Sequence, residues 1–320
     1  PVAVIINYDL ITIPSALYEE IIAALQKRFG KEIFNPANIL ISATHTHTAP
    51  EIRLANLGSS EDYCKYAVEK TLEAAEAALN NFQEGTLHAT VSSDSRFIFN
   101  RRFWMKNGTV VTNPGKLNPD IVRPEGEIDP EIPLMVIKKD AKPFVVIPSI
   151  VNHTDTIGGT GVSADWAGFL RRTVEEKLPE GAMLLPLVGC SGNINHFDVN
   201  SDMKQTQYGE AERIGKGYAE TVEKALEKLH EVKLEKIRFC HKEVTSASRQ
   251  LTEEEIAEAQ EVMQRYPEVS INRDSLKDLT SEDLAKKTPF ALKYFASRLL
   301  ELNKPGEKRS FVLTGFELGS

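Results

Sequence analysis

An α/β fold, with a mixed, largely parallel sheet flanked by helices and a helical excursion near the C-terminal end, is what this sequence of 320 residues predicts. Three observations carry that expectation. Residues 1–44 run strand, helix, strand, which favours a parallel pair joined by a right-handed crossover. Apolar runs and amphipathic helical periods then keep alternating for some two hundred residues. After that the composition shifts, and residues 252–303 become charge-rich with a helical pattern.

In order, "VAVIINYD" reads as a buried strand. After Pro14 and Ser15, the residues Leu17, Ile21, Leu25 and Phe29 recur every four positions, the mark of one helix face, and Gly30 is placed to stop it. "NILISAT" (38–44) is rich in isoleucine and reads as a second buried strand, with Pro50 closing the segment. A long helix follows over about 60–81, then a strand at "TLHATVSS". Residues 97–131 carry prolines and glycines with little periodicity and are expected to form a long irregular loop, a place where function concentrates. "IPLMVIKKD" and "KPFVVIPSIVNH" read as two strands joined by a short charged turn, "ADWAGFLRRTVEEKL" as a helix, and "GAMLLPLVG" as one more buried strand. Residues 205–232 predict an amphipathic helix, and "KLEKIRFCHKEVTSAS" a strand. Thr252 and Glu255 form the capping box that opens the helical excursion. We expect residues 1–250 to make an α/β domain and residues 251–320 a helical excursion returning to a core strand. The chain opens inside one strand and stops inside another, so we expect it to be a fragment of a longer protein.

A hydrophobic content of 41% is enough for a full core. Net charge −8 and a pI near 5.5 disfavour a nucleic-acid partner, because no basic surface is available to neutralise phosphates. No apolar run approaches the roughly 20 residues that span a bilayer, so the chain reads as soluble. Cys64, Cys190 and Cys240 are scattered, forming neither a disulfide framework nor a metal knuckle, which leans towards the cytoplasm over secretion.

Three polar clusters sit at strand exits, where open α/β sheets collect ligands. In "SATHTHTAPE" (42–51), a strand continuing through the motif would put His45 and His47 on one face; a pair of surface histidines in a threonine-rich loop accounts for an isolated H-x-H equally well. "SIVNHTDTIGGTGVSADWAG" brings His153, Asp155 and Asp165, with Ser163 or Asp165 suited to cap the following helix. "LLPLVGCSGNINHFDVN" brings Asn193, Asn195, His196 and Asp198.

In order and spacing, "SATHTHTAP", "VNHTDTIGGTGVSADWAG" and "VGCSGNIN" resemble the N-terminal catalytic domain of the neutral/alkaline, non-lysosomal ceramidase family, over residues 1 to about 200. The long 97–131 segment looks like the version found in bacterial relatives outside the true ceramidases. The resemblance implies a Zn2+ ion held by His45 and His153, with His47 turned to the substrate. The family's further glutamate and tyrosine ligands have no matching motif here, so they are expected beyond the C-terminal end. The family's essential serine is replaced by Asn195 and its aspartate by Asn193, and an amide is no nucleophile. That departure sets ceramide aside as the expected substrate.

The chemistry that remains is a zinc-dependent hydrolase of an amide or ester bond, acting on a small-molecule or lipid-like substrate. Imidazole ligands, an oxygen ligand and an open position activate water by lowering its pKa to about 7. Asp155 and Asp165 are candidates for orienting groups around the metal and for general base or substrate contact. Asn193 and Asn195 are candidate donors to an oxyanion. Arg101 and Arg102 are candidates for an anionic group on the substrate, against the equal alternative of a solvated, salt-bridged pair. The rival reading is a catalytically inactive relative that uses the pocket to bind a carbohydrate, peptide or lipid.

Overall fold

The computed structural model of the chain describes residues 2–52, 58–272, 283, 286–304 and 306–319. Two compact units emerge, Pro1–Phe239 with Gly315–Ser320, and Cys240–Thr314. In the first unit β1 (Val4–Tyr8) leads through α1 (Ser15–Phe29) to β2 (Ile39–Ala43), and β1 and β2 pair in parallel, Val4 against Ile39 through Tyr8 against Ala43. Leu17, Ile21 and Leu25 of α1 are buried together with Phe34 and Ile39, which is the burial their four-residue spacing called for. Gly30 ends α1 at φ 97°, a conformation a side chain would strain. Helix α2 (Gly58–Asn80) packs against this unit through Tyr63, Val68 and Leu72.

The larger sheet holds β3 (Thr86–Ser93), β8 (Glu131–Lys139), β9 (Lys142–Ile150), β10 (Met183–Leu184), β11 (Leu187–Val188) and β13 (His230–Val232), in the order β10-β9-β8-β3-β13 with β11 also on β9. The class is mixed α/β as expected, but the parallel share is smaller. β1 with β2 and β9 with β10 and β11 are parallel; β8 with β9, β3 with β8, and β13 with β3 are antiparallel. The reason is local: Asp140 and Ala141, both at positive φ, make so short a turn between β8 and β9 that only a hairpin can form.

Three expectations on element type need correction. The 97–131 segment is not irregular: it contains β4 (Phe99–Asn100), β5 (Arg102–Met105), β6 (Val110–Thr112) and β7 (Ile121–Pro124), with β5 central between β6 and β7. Strands this short, separated by Gly108 and Pro114 turns, fall below any readable period. "GAMLLPLVG" is broken, because Leu185 and Pro186 separate β10 from β11, and the freed Pro186 carbonyl accepts from Asn7 Nδ2 at 2.9 Å. The helix expected over 205–232 is α4 (Tyr208–Leu226), and its last residues form β13 instead.

The main core lies between the inner face of β8 and β9 and the helices α3 (Asp165–Glu175) and α4, with Trp166, Leu170, Ile214 and Tyr218 fully buried among Ile132, Leu134, Val136 and Val146. Each such side chain removed from water is worth roughly 1.5–3 kcal/mol. The two helices touch at Gly215, where a Cβ would stand 2.6 Å from the Trp166 carbonyl oxygen, so the close approach exists because no side chain is there.

A short β12 (Ile194–Asn195) pairs with β4. In the second unit, α5 (Glu253–Arg265) starts at the Thr252–Glu255 capping box, both halves of which are formed, and packs with α6 (Pro289–Leu302). Buried Lys293 of α6 donates to the Tyr266 and Val269 carbonyls at 2.5 and 2.7 Å. The helical expectation over 273–282 and 284–285 lies outside the described residues. Strands β14 (Ile237–Ala247) and β15 (Lys308–Leu318) pair with each other. Among the described residues no helix is long and apolar enough to cross a membrane.

Candidate metal centre

Strand β2 does not continue through the histidine motif. It ends at Ala43, the Thr44 N–H still donates to the Tyr8 carbonyl at 2.8 Å, and His45 then turns the chain at φ 62°. A left-handed, non-glycine residue at a strand end is strain of order 1 kcal/mol or more, which persists where surroundings fix it. Here they do. The His45 ring donates from Nδ1 to the Ile11 carbonyl at 2.6 Å, Thr46 Oγ1 donates to the Ser163 carbonyl at 2.7 Å, and the His47 N–H donates to the Thr154 carbonyl at 3.1 Å. His45 and His47 therefore converge through a turn, not through strand alternation.

His153 arrives from the exit of β9 and is buried. Its carbonyl accepts from the Trp166 indole Nε1 at 2.9 Å, and its ring donates from Nδ1 to the Ser191 carbonyl at 3.0 Å. The Nε2 atoms of His45 and His47 each lie 3.1 Å from His153 Nε2, and one ligand atom from each of the three rings falls within a 4.8 Å span.

This arrangement fits a metal ion. A carbonyl can only accept, so Nδ1 of His45 and of His153 must carry the proton. In the neutral rings both Nε2 atoms then present lone pairs to each other at 3.1 Å, which is unfavourable unless a cation lies between them. Ligand bonds of 2.0–2.1 Å in a tetrahedral set would separate nitrogens by about 3.3 Å, close to what is found. His47, expected to face the substrate, thus stands inside the cluster as a third potential ligand. The H-x-H spacing alone was its only signal.

Electrostatics favour the neutral form of His47 and His153. Solvent reaches His47, yet the groups packed around its ring desolvate it and bring its pKa down to about 4, with His153, His45 and Arg101 adding to that and Asp155 opposing. Burial lowers His153 also, against the Ser191 hydrogen bond and Asp155. Beside the His45 and His153 rings lies a cavity of about 470 Å³, walled by Ile11, Ile13 and Val188 and by Gly189, Ser191 and Gly192. Its size is that of a small-molecule site.

The other residues singled out in the sequence divide between this place and the scaffold. Asp155 stands beside the cluster with its Oδ1 3.3 Å from Nδ1 of fully buried His196, without hydrogen-bond geometry, while His196 Nε2 donates to the Gln205 carbonyl at 2.7 Å. Burial would raise the Asp155 carboxyl, but His196, His153 and His47 together hold it below its ordinary value. Arg101 donates from Nε and Nη2 to the Gly192 carbonyl at 3.0 and 2.6 Å. The carbonyl of Asn193 accepts from the Arg101 N–H at 2.8 Å.

Three residues serve the fold instead. Asn195 is 0% exposed; its Nδ2 donates to Asn113 Oδ1 at 3.1 Å and its Oδ1 accepts from the Phe197 N–H at 3.1 Å, which leaves no surface to meet an oxyanion. Arg102 is ion-paired with Glu125, the solvated alternative. Asp165, expected to touch substrate or orient groups around the metal, is 1% exposed and accepts from the Ile157 and Trp166 N–H groups at 2.8 and 2.7 Å, pinning the loop after His153; burial raises its carboxyl. The residue flanking α3 is Ala164, which makes no side-chain cap; Ser163 Oγ accepts the Asp165 N–H at 3.0 Å and Asp165 Oδ1 the Trp166 N–H at 2.7 Å, so both side chains satisfy donors of the first turn from other positions. The supporting groups that escaped sequence reading are Trp166, Gln205 and the carbonyls of Ile11 and Ser191, and a carbonyl carries no signal in residue identity.

Fold and cluster together define an α/β protein with a three-histidine candidate metal centre at strand exits. Its fold is neutral-ceramidase-like. Among solved structures it is similar to neutral ceramidase from Pseudomonas aeruginosa, with a TM-score of 0.64 and 16% identity over 98% of this chain and 52% of that one. It is likewise similar to a ceramidase complexed with C2, with a TM-score of 0.61 and 19% identity over 74% of this chain and 38% of that one. The chain thus spans about half or less of the length of the solved chains it matches. No family model matches it, and no curated protein sequence does.

Proposed function

We propose that the protein containing this chain is a metal-dependent hydrolase, ceramidase-like in fold, that cleaves an amide or ester bond in a substrate other than ceramide. The observation that carries the reading is the convergence of three Nε2 atoms, two of them with lone pairs fixed inwards by backbone carbonyls. Three neutral imidazoles suit Zn2+ and leave a position open. A bound ion would supply Lewis-acid activation of water and of the scissile carbonyl. The chain's own residues hold and orient: Ile11 and Ser191 fix the tautomers of His45 and His153, Trp166 anchors the His153 backbone, and Asp155, two residues after His153, is the candidate general base.

A second reading, a binding module without hydrolytic activity, is favoured by one observation. Asn195, in the place of the family serine, is sealed in the interior. Elemental analysis of the purified protein, followed by hydrolysis of an amide and ester panel before and after chelation, separates the readings. Stoichiometric metal with chelator-sensitive hydrolysis supports the hydrolase. Stoichiometric metal without hydrolysis leaves the binding module, and a protein that takes up no metal sinks the hydrolase and leaves the binding module, which needs no ion.

A further inference from the structure

Arg101 is placed unlike the other cations near it. Its neighbour Arg102 is neutralised by Glu125, Arg171 by Asp9 at 2.5 Å, and Arg96 by Asp94 at 2.8 Å. Among the described residues Arg101 has no carboxylate partner, although the protein carries an excess of acidic groups, net −8. Two of its donor nitrogens are spent on the Gly192 carbonyl, and Nη1 makes no hydrogen bond among the described residues. Gly192 is itself part of the cavity wall, next to His45 and His153. Gly192 follows Ser191, whose carbonyl holds the His153 ring, so Arg101 is anchored one residue from a contact of the cluster. A guanidinium tied down along one edge and bare along another is a preorganised receptor for an oxyanion.

The remaining walls agree. No carboxylate lines the cavity, and Asp155 faces His196. A divalent ion held by neutral rings would keep its whole charge, so ion and Arg101 together would make the site strongly positive, in a cavity otherwise walled by the apolar Ile11, Ile13 and Ile41.

We infer that the substrate is an anion, a short, partly apolar molecule whose carboxylate is received by Arg101 beside the metal. This rests on the metal reading of the three histidines and narrows it to a substrate class.

The test uses the zinc-loaded protein, with butyrate as the probe and isosteric, uncharged butyramide as the control, in titration calorimetry. Wild type is expected to bind butyrate at least about tenfold more tightly than butyramide, a gap of about 1.4 kcal/mol. Arg101→Gln should weaken butyrate about tenfold, leave butyramide unchanged and keep zinc stoichiometry, and Arg101→Lys should recover part of the loss. Equal binding of the two probes by wild type, or undiminished butyrate binding by a zinc-loaded Arg101→Gln protein, overturns the inference while the metal reading stands. Failure of wild type to take up zinc overturns both.

Discussion

Trp166→Phe tests how far the candidate metal centre depends on the core beneath it. Trp166 is 0% exposed, packs against Tyr218 with ring centroids 5.2 Å apart, and holds the His153 carbonyl through its indole N–H at 2.9 Å. Phenylalanine keeps the aromatic contact and removes the donor. Leaving a buried carbonyl without its partner costs about 1–3 kcal/mol. The smaller ring leaves about 40 Å³, worth about 1 kcal/mol at the cost per unit volume measured for cavities. The sum is a loss of about 2–4 kcal/mol in urea unfolding of the metal-free protein, at an unchanged m-value. His153 loses its backbone anchor at the same time, so zinc affinity in a chelator competition should fall about tenfold or more. A variant that loses less than about 0.5 kcal/mol, or that binds zinc as tightly as wild type, would falsify the proposed link between α3 and the cluster.

Three further outcomes follow from the same contacts. The folded-state pKa of His47, about 4, lies below its ordinary 6.5, so between these values the unfolded chain takes up a proton that the folded chain refuses. Metal-free protein should therefore lose stability as pH falls from 6.5 towards 4, by about 1 kcal/mol from this group once solvent screening is allowed for, and His47→Gln should flatten that part of the curve measured by denaturant titration. Asn195→Ala strips both halves of a sealed amide, and a stability loss of about 1–3 kcal/mol with zinc affinity intact is expected; a collapse of zinc binding in the folded variant would return Asn195 to the site. Gly215→Ala places a methyl 2.6 Å from the Trp166 carbonyl oxygen and 2.8 Å from the Leu170 nitrogen, both backbone atoms that cannot swing aside, and should lower the unfolding free energy by about 1–3 kcal/mol.

Much of the layout was legible from periodicity. The α1 stripe of Leu17, Ile21 and Leu25, the β8–β9 hairpin and the Thr252–Glu255 box all appear where residue type and spacing put them, because each is a local decision between water and burial or between a bare and a capped N–H. The small β5–β6–β7 sheet was not legible, since strands of three or four residues show no period. Nor was the fate of Asn195, Arg102 and Asp165, three polar residues in promising positions that serve as internal ties, because a side chain's role depends on which partner reaches it first.

Sequence alone decided that histidines would stand at three strand exits and that the motifs around them would resemble those of neutral ceramidases. Tertiary structure decided what the histidines can do. His45 and His153 are 108 positions apart, and their Nε2 atoms came to face each other only when Ile11 and Ser191, from two other loops, presented carbonyls that fixed where each proton sits. Hydrogen-bond direction is set by the partner, and the partners here are backbone oxygens common to every residue. The chain's order can bring such atoms near a ring, but only folding chooses which one the ring meets.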